Sequence, residues 1–211
     1  MEMSLFFRLF AGVPMDEMDT FPLVPLGCWL FPIGIYLLII GFRLGMDKQN
    51  RRFVIVRCGW IQKWWKHYFL RNLLNGIFAA VSLLALFNII DLLVLQMFTG
   101  NLKEISAIFV LWTVHAMTLS ALFLLMETLR IKKLIPAVIL LLEGLTFLSG
   151  FQFRKSARFM FGVWGMYVQS NLHESMYGFS IISVMIVQVT IIMICYWLGS
   201  YWLKGKEMEG V

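Results

Sequence analysis

The sequence contains few cysteines and few charged residues, and each shortage excludes a class of protein. Its three cysteines, Cys28, Cys58 and Cys195, are scattered, form no CxxC pair and have no histidine at metal-ligand spacing, so they indicate neither a disulfide framework nor a zinc site. Charged residues make up only 14% of the 211 residues and hydrophobic residues 60%, with a mean hydropathy of +0.80. These fractions lie outside the range of soluble domains.

The familiar catalytic motifs are also absent. The chain has no Gly-x-Ser-x-Gly and no His-Glu-x-x-His, so these hydrolase sites lack their nucleophile or metal ligands. Gly199 and Gly205-Lys206 are spaced one residue too far apart for a Walker A loop, and no Ser or Thr follows the lysine. We therefore expect no catalytic centre, no bound metal and no ATP site in this chain. The first apolar patch, Leu5 to Phe10, is interrupted by Arg8 and does not resemble a signal peptide.

Long apolar runs dominate what is present. A helix needs about 20 mainly apolar residues to cross a bilayer, so the sequence predicts an all-α membrane protein with about five transmembrane helices. The predicted spans are 24–42, 72–98, 105–126, 134–153 and 179–203. We expect residues 1–22 to form an extracellular or interfacial flank, and residues 204–211 to form a cytoplasmic tail.

Positive charge indicates the orientation. Segment 43–71 carries eight Lys and Arg residues against Asp47 alone, and such clusters beside spans remain in the cytoplasm. This predicts a multi-pass plasma-membrane protein with a cytoplasmic C-terminus. The charge lies beside the spans, so it does not indicate nucleic-acid binding.

Segment 154–178 is an exception, because it would lie outside yet carries Arg154, Lys155 and Arg158 against Glu174. Its apolar stretch 159–168 is too short to span. Two alternatives remain: a re-entrant or interfacial segment, or an ordinary extracellular loop.

Segment 57–71 has the pattern of an amphipathic helix. Aromatic residues recur at helical spacing on one face, and Lys63, Lys66 and His67 occupy the other. Such a helix can anchor the loop in the headgroup layer, or its basic face can dock a soluble cytoplasmic partner. The residues expected to couple to a partner are Arg57, Trp60, Lys63, Trp64, Trp65, Lys66 and His67.

Three ionisable residues interrupt the apolar spans. Asp91, His115 and Glu143 are candidates for polar residues of a translocation path, because a charge inside a span is costly. Asp91 lies near the predicted outer end of its span, where it can face water. His115 and Glu143 lie nearer mid-span, where interhelical hydrogen bonding and a role in the path are both open.

Several of these features occur in a recognisable order. Pro25 and Trp29 begin a span that ends at Gly41 and Arg43, an extended segment 52–57 follows, and Gly59, Lys63, Trp64 and Trp65 open the next span. The tail 199–207 closes the chain with basic and acidic residues. This order resembles the small type-2 ABC transporter permeases of Gram-positive bacteria. The sequence departs from that pattern in a first span that is missing or reduced to 5–10, and in having Ile61 and Gln62 where charge is common.

The resemblance implies a transmembrane subunit of peptide or bacteriocin export or immunity systems. Such a subunit works as a homodimer or heterodimer with a separate cytoplasmic ATPase, which alone binds ATP and Mg²⁺, and segment 57–71 would be its coupling helix. A stand-alone immunity or binding protein without ATP coupling is an alternative, and so is the substrate-binding membrane subunit of a vitamin importer.

Overall fold

The computed structural model describes residues 4–14, 22–58, 60–93, 101–129, 134–173 and 178–209, without the side chains of 48–58 and 205–209. The described residues form six α-helices and three short 3₁₀-helices. The α-helices are α1 (Leu5–Phe10), α2 (Leu23–Cys58), α3 (Ile61–Leu93), α4 (Leu102–Thr128), α5 (Ile135–Gln152) and α6 (Ile181–Glu209). The 3₁₀-helices cover Arg154–Phe159, Phe161–Val163 and Tyr167–Gln169.

Within the described part of the chain, five helices, α2 to α6, are long and apolar enough to cross a membrane. This confirms the predicted all-α membrane fold with five spans. Two of these helices begin at residues suited to that position. The Asn101 side chain accepts a hydrogen bond from the Lys103 N–H at the start of α4, and Pro136 lies in the first turn of α5. Asparagine is favoured before a helix and proline at its first turn.

Helix α4 is the centre of the bundle. It packs against α2, α3, α5 and α6, and 61% of its most apolar stretch is buried, compared with 22% in α6. Large aromatic side chains fill the surrounding core. The fully buried ones are Trp29, Tyr36, Trp65, Trp112, Phe147, Phe6 and Phe10.

The bundle has two different ends. The cap end holds α1, the start of α4 and the segment 154–170, and the turn end holds the junction between α2 and α3. At the turn end α2 continues to Cys58 and α3 begins at Ile61, so the predicted amphipathic segment is not a separate helix. Its residues from Ile61 onward form the first turns of α3. Arg71 bridges the two helices by an ion pair with Asp47, at 2.7 Å between Nη2 and Oδ2.

Helix α1 is part of the core, although the sequence predicted a flank there. Phe10 is 0% exposed, and its ring packs edge-on against those of Phe87 and Trp112. The Asp91 carboxylate accepts hydrogen bonds from the backbone N–H groups of Leu5 and Phe6 at 3.1 and 2.7 Å. A helix start has free N–H groups and a partial positive charge. Asp91 therefore fixes α1 to the end of α3.

Segment 154–170 folds back into the bundle. Gly162 approaches α5 so closely that a Cβ there would lie 2.3 Å from the Glu143 carbonyl oxygen, and its N–H donates to Thr146 Oγ1 at 2.8 Å. The segment also binds the chain beyond α1, because the Val168 N–H donates to the Ala11 carbonyl at 3.0 Å. The segment is therefore fixed both to α5 and to the chain after α1.

The role of Asp91 can be tested by neutralisation. In Asp91→Asn one of the two acceptor oxygens becomes an NH₂ group facing an N–H donor, so α1 should lose about 1.5–3 kcal/mol of docking free energy. We expect faster hydrogen–deuterium exchange in residues 4–10. The control is Glu104→Gln, which neutralises a partly exposed acid at the same end and should leave that exchange unchanged. Equal protection of residues 4–10 in Asp91→Asn would contradict the assignment.

Candidate functional site

The structure brings two of the three predicted ionisable residues together. His115 is midway along α4, about 20 Å from either end at 1.5 Å per residue, and Glu143 is near the middle of α5. His115 Nε2 lies 2.8 Å from Glu143 Oε1, and the side chains are 1% and 0% exposed. A carboxyl group enclosed in this way needs a polar partner, because burying it unpaired is very costly.

Gln188 of α6 is the third member of the site. Its Nε2 lies 3.1 Å from His115 Nδ1, and its side chain is fully buried. An amide nitrogen facing Nδ1 matches the tautomer in which Nε2 carries the proton and donates it to Glu143. Rotating the amide by half a turn would place Oε1 at Nδ1, and this nitrogen would then be the donor. The three residues form one hydrogen-bonded chain across α5, α4 and α6, which we call the central triad.

Aromatic rings and backbone enclose the central triad. The Phe161 ring centroid lies 5.2 Å from that of His115, and the Trp29 centroid lies 6.4 Å from it. A Cβ on Gly165 would lie 3.0 Å from both the His115 and Trp29 rings. The triad is therefore closed from the cap end by the segment 154–170. In this state it does not line an open path.

The donors and acceptors of the triad are incompletely used. Among the described residues, Glu143 Oε2, Gln188 Oε1 and the neighbouring Trp29 Nε1 have no hydrogen-bond partner. Unsatisfied buried polar atoms are few in proteins and often mark functional sites. The described residues contain no group of three His, Cys, Asp or Glu side chains that could hold a metal ion.

A second polar layer lies about one turn closer to the turn end. Tyr36 donates to the Ala116 carbonyl at 2.8 Å, and Asn72 Nδ2 donates to the Ser120 carbonyl and hydroxyl at 3.1 and 2.9 Å. A Cβ on Gly76 would lie 2.7 Å from the Tyr36 hydroxyl oxygen. This layer joins α2, α3 and α4.

The residues predicted to couple to a partner fall into two groups at the start of α3. Lys63, Lys66 and His67 are exposed, as is Trp60 at 74%. Trp64 and Trp65 are instead buried, so the aromatic face contacts the protein itself. The Arg57 side chain lies outside the described residues.

Trp65 connects the turn end to α6. Its indole Nε1 donates to the Tyr196 carbonyl at 3.0 Å, and a Cβ on Gly199 would lie 2.2 Å from the indole ring. The ring therefore rests directly on the α6 backbone. Asp91, the third predicted path residue, binds the α1 backbone and is not part of the central triad.

Sequence reasoning missed Gln188, Tyr36 and Asn72. All three are neutral polar residues, so none of them places a costly charge in the membrane. Tyr36 lies within the predicted span 24–42 and Asn72 is the first residue of the span 72–98. Gln188 falls well inside the predicted span 179–203, and this depth was the available signal for it.

Comparison of the chain with protein-family models, curated proteins and solved structures gave no match.

The coupling within the central triad can be measured by a double-mutant cycle. His115→Leu and Glu143→Leu each leave a buried partner unsatisfied, so each should lower the free energy of unfolding by about 2–4 kcal/mol. The double variant should lose less than the sum, by about 1–3 kcal/mol. Unfolding in mixed detergent micelles measures these values. Ser149→Ala, an exposed change on α5, should stay within about 0.5 kcal/mol of the parent chain, and additive single effects would show that the pair does not interact.

Proposed function

We propose that the chain is the membrane subunit of an ATP-driven exporter, and that a separate cytoplasmic ATPase docks on the basic turn between α2 and α3. The observation that carries the proposal is the contact of Trp65 with α6. Exposed cations at the start of α3 offer a docking surface, and the adjacent indole ties that surface to another helix. The resemblance to type-2 ABC permeases supports the same reading.

The docking surface has a defined chemistry. Lys63, Lys66 and His67 lie on the exposed face of the first turns of α3, and Arg43 is exposed on α2. An acidic cleft on the partner would complement this surface, and charge complementarity of this kind fixes partner choice and orientation. Because Trp64 and Trp65 are buried beneath it, the surface is held on a rigid base.

Movement of the turn would reach the central triad through α6. A force on the start of α3 acts through Trp65 on Tyr196 and Gly199, and Gln188 lies about 12 Å further along the same helix. There α6 contacts His115, which contacts Glu143 on α5. Displacing α6 would therefore break or exchange hydrogen bonds at the level where three helices meet. Transport by alternating access requires a site with two discrete arrangements, and the exchange of these hydrogen bonds would supply the second one.

The exporter proposal also implies a class of substrate and a second copy of the permease. The apolar and basic character of the chain suits a peptide-like or otherwise amphipathic substrate, and a second copy of the permease would complete the path. The partner ATPase would supply ATP and Mg²⁺ binding.

The docking surface can be tested by charge reversal. Lys63→Glu with Lys66→Glu should abolish recovery of a co-purifying ATPase in a mild-detergent pull-down from the native host. Placing like charges against an acidic partner costs several kcal/mol, so recovery should fall by about tenfold or more. Arg8→Glu with Lys103→Glu is the matched control, because it reverses two exposed cations away from the turn.

Two outcomes would overturn this proposal. If the unmodified chain recovers no ATPase, the chain is an uncoupled membrane protein, and a stand-alone immunity protein or a vitamin-binding importer subunit replaces the exporter. If both double variants lose the ATPase equally, the basic turn is not the docking surface.

The contact between Trp65 and α6 can be tested separately. Gly199→Ala places a methyl group inside the indole contact and should lower the free energy of unfolding by about 1–3 kcal/mol, because overpacking forces the helices apart. Gly27→Ala on α2 is the matched control, since the space around that Cβ is open. There the change should be neutral or stabilising by up to about 1 kcal/mol. Equal thermal midpoints in detergent for the two variants would contradict a tight contact.

A further inference from the structure

A groove at the cap end lies between the segment 154–170 and the start of α6. Its volume is about 410 Å³, which is within the range of small-molecule sites. Arg158, Phe159 and Trp164 form one wall, and Ser183, Val184 and Val187 of α6 form part of the other. The groove contributes nothing to the central triad or to the basic turn.

Beyond Ser183 the α6 wall is apolar and continues into a lipid-facing surface. Val184 and Val187 are one helical turn apart and line the groove, and beyond them Ile186, Val189 and Met193 are exposed on α6. In a membrane-spanning helix such exposed side chains contact acyl chains. An occupant of the groove can therefore be continuous with the bilayer.

The opposite wall carries positive charge. Arg158 lines the groove, and Lys155 is exposed just outside it, three residues earlier in the 3₁₀-helix Arg154–Phe159, where side chains at this spacing eclipse. The Arg158 guanidinium stacks over the Phe159 ring at 4.9 Å, and its carbonyl accepts a hydrogen bond from Trp164 Nε1 at 3.0 Å. These contacts hold the arginine at the rim of the groove.

Acidic residues are scarce in the sequence around these cations. Segment 154–178 carries Arg154, Lys155 and Arg158 against the single acid Glu174. An arginine beside an aromatic ring at a membrane surface is suited to a phosphate headgroup, since both Arg and Lys bind phosphate and the ring favours the headgroup layer. An anionic ligand would account for the charge.

We propose that this groove binds a phospholipid with a net negative headgroup. One acyl chain lies along Val184 and Val187, and the headgroup phosphate lies at Lys155 and Arg158. The amphipathic shape selects the occupant: the apolar wall excludes a free anion as the preferred ligand, and the paired cations favour an anionic over a zwitterionic lipid. This binding does not depend on the ATPase partner, so either proposal can fail alone.

Trp164 provides a fluorescent probe inside the groove. The full chain is reconstituted in phosphatidylcholine vesicles containing a few mole per cent of brominated phosphatidylglycerol or, separately, brominated phosphatidylcholine. The difference in emission between the parent chain and Trp164→Phe gives the quenching of Trp164 alone. Each basic residue near an anionic lipid contributes about fivefold in affinity, so brominated phosphatidylglycerol should be preferred by about 25-fold.

Paired variants distinguish the groove from general surface charge. Lys155→Gln with Arg158→Gln should abolish the preference, so that brominated phosphatidylglycerol and brominated phosphatidylcholine quench Trp164 about equally. Lys103→Gln removes an exposed cation at the same end of the bundle, outside the groove, and should keep the preference. Added inorganic phosphate should not relieve the quenching; relief would show a free-anion site and would overturn the lipid assignment.

Native mass spectrometry of the unmodified chain gives a second readout that requires no variant. We expect one phosphatidylglycerol molecule to remain bound in detergent at energies that remove phosphatidylcholine. Equal retention of both lipids, or equal Trp164 quenching by both in vesicles, would show ordinary boundary lipid and would overturn the proposal.

Discussion

A carboxyl group in the middle of an apolar bundle must find its partners inside the protein, and Glu143 does so only because three helices meet at its level. His115 comes from α4, and Gln188 reaches the far side of the imidazole from α6. Sliding any one helix by a single residue would move its polar group by about 1.5 Å and rotate it away. The triad therefore specifies the register of α5, α4 and α6. Phe161 and Gly165 can cover it because the segment 154–170 carries glycine at two close approaches, Gly162 against α5 and Gly165 against the His115 and Trp29 rings.

Other polar contacts fix the relative positions of the helices further along the bundle. The layer of Tyr36, Asn72 and Ser120 joins α2 and α3 to α4, and Trp65 joins α3 to α6. Helix α4 takes part in both polar layers, which explains why it is the most buried of the five spans. Apolar packing alone would fix these helices less uniquely, because lipid tails are as apolar as the side chains that pack. Hydrogen bonds between helices form in only one relative position of the donor and the acceptor, so they fix how the helices are placed against one another.

Hydropathy predicted the five helices well, because a helix that crosses a membrane needs about 20 mainly apolar residues in a row. Helices of soluble proteins rarely contain such a run. The pairing of His115 with Glu143 was open in the sequence, since mid-span position suggests equal depth but not which faces meet. Gln188 does not stand out in the sequence. Placing a neutral amide in a membrane costs less free energy than placing a charged group there, so a glutamine among valines and isoleucines does not by itself indicate a site. The burial of α1 was also hidden. Six residues interrupted by Arg8 are too few to signal a span, and the groups that hold them, the Asp91 carboxylate and the Phe87 and Trp112 rings, are distant in sequence.

The aromatic face of the α3 start shows what periodicity can and cannot decide. The spacing of Trp64, Trp65 and the aromatics that follow correctly identifies one apolar face, but it is silent on whether lipid, a partner or another helix covers that face. Gly199 decides it, because a residue without a side chain lets the indole reach the α6 backbone. The aromatic face of Trp64 and Trp65 is thus occupied by the chain's own helix, whereas the basic face of the α3 start is exposed. The cap end is likewise closed by the chain itself, because the Val168 N–H and the Gln169 side chain donate hydrogen bonds to carbonyls of the chain after α1.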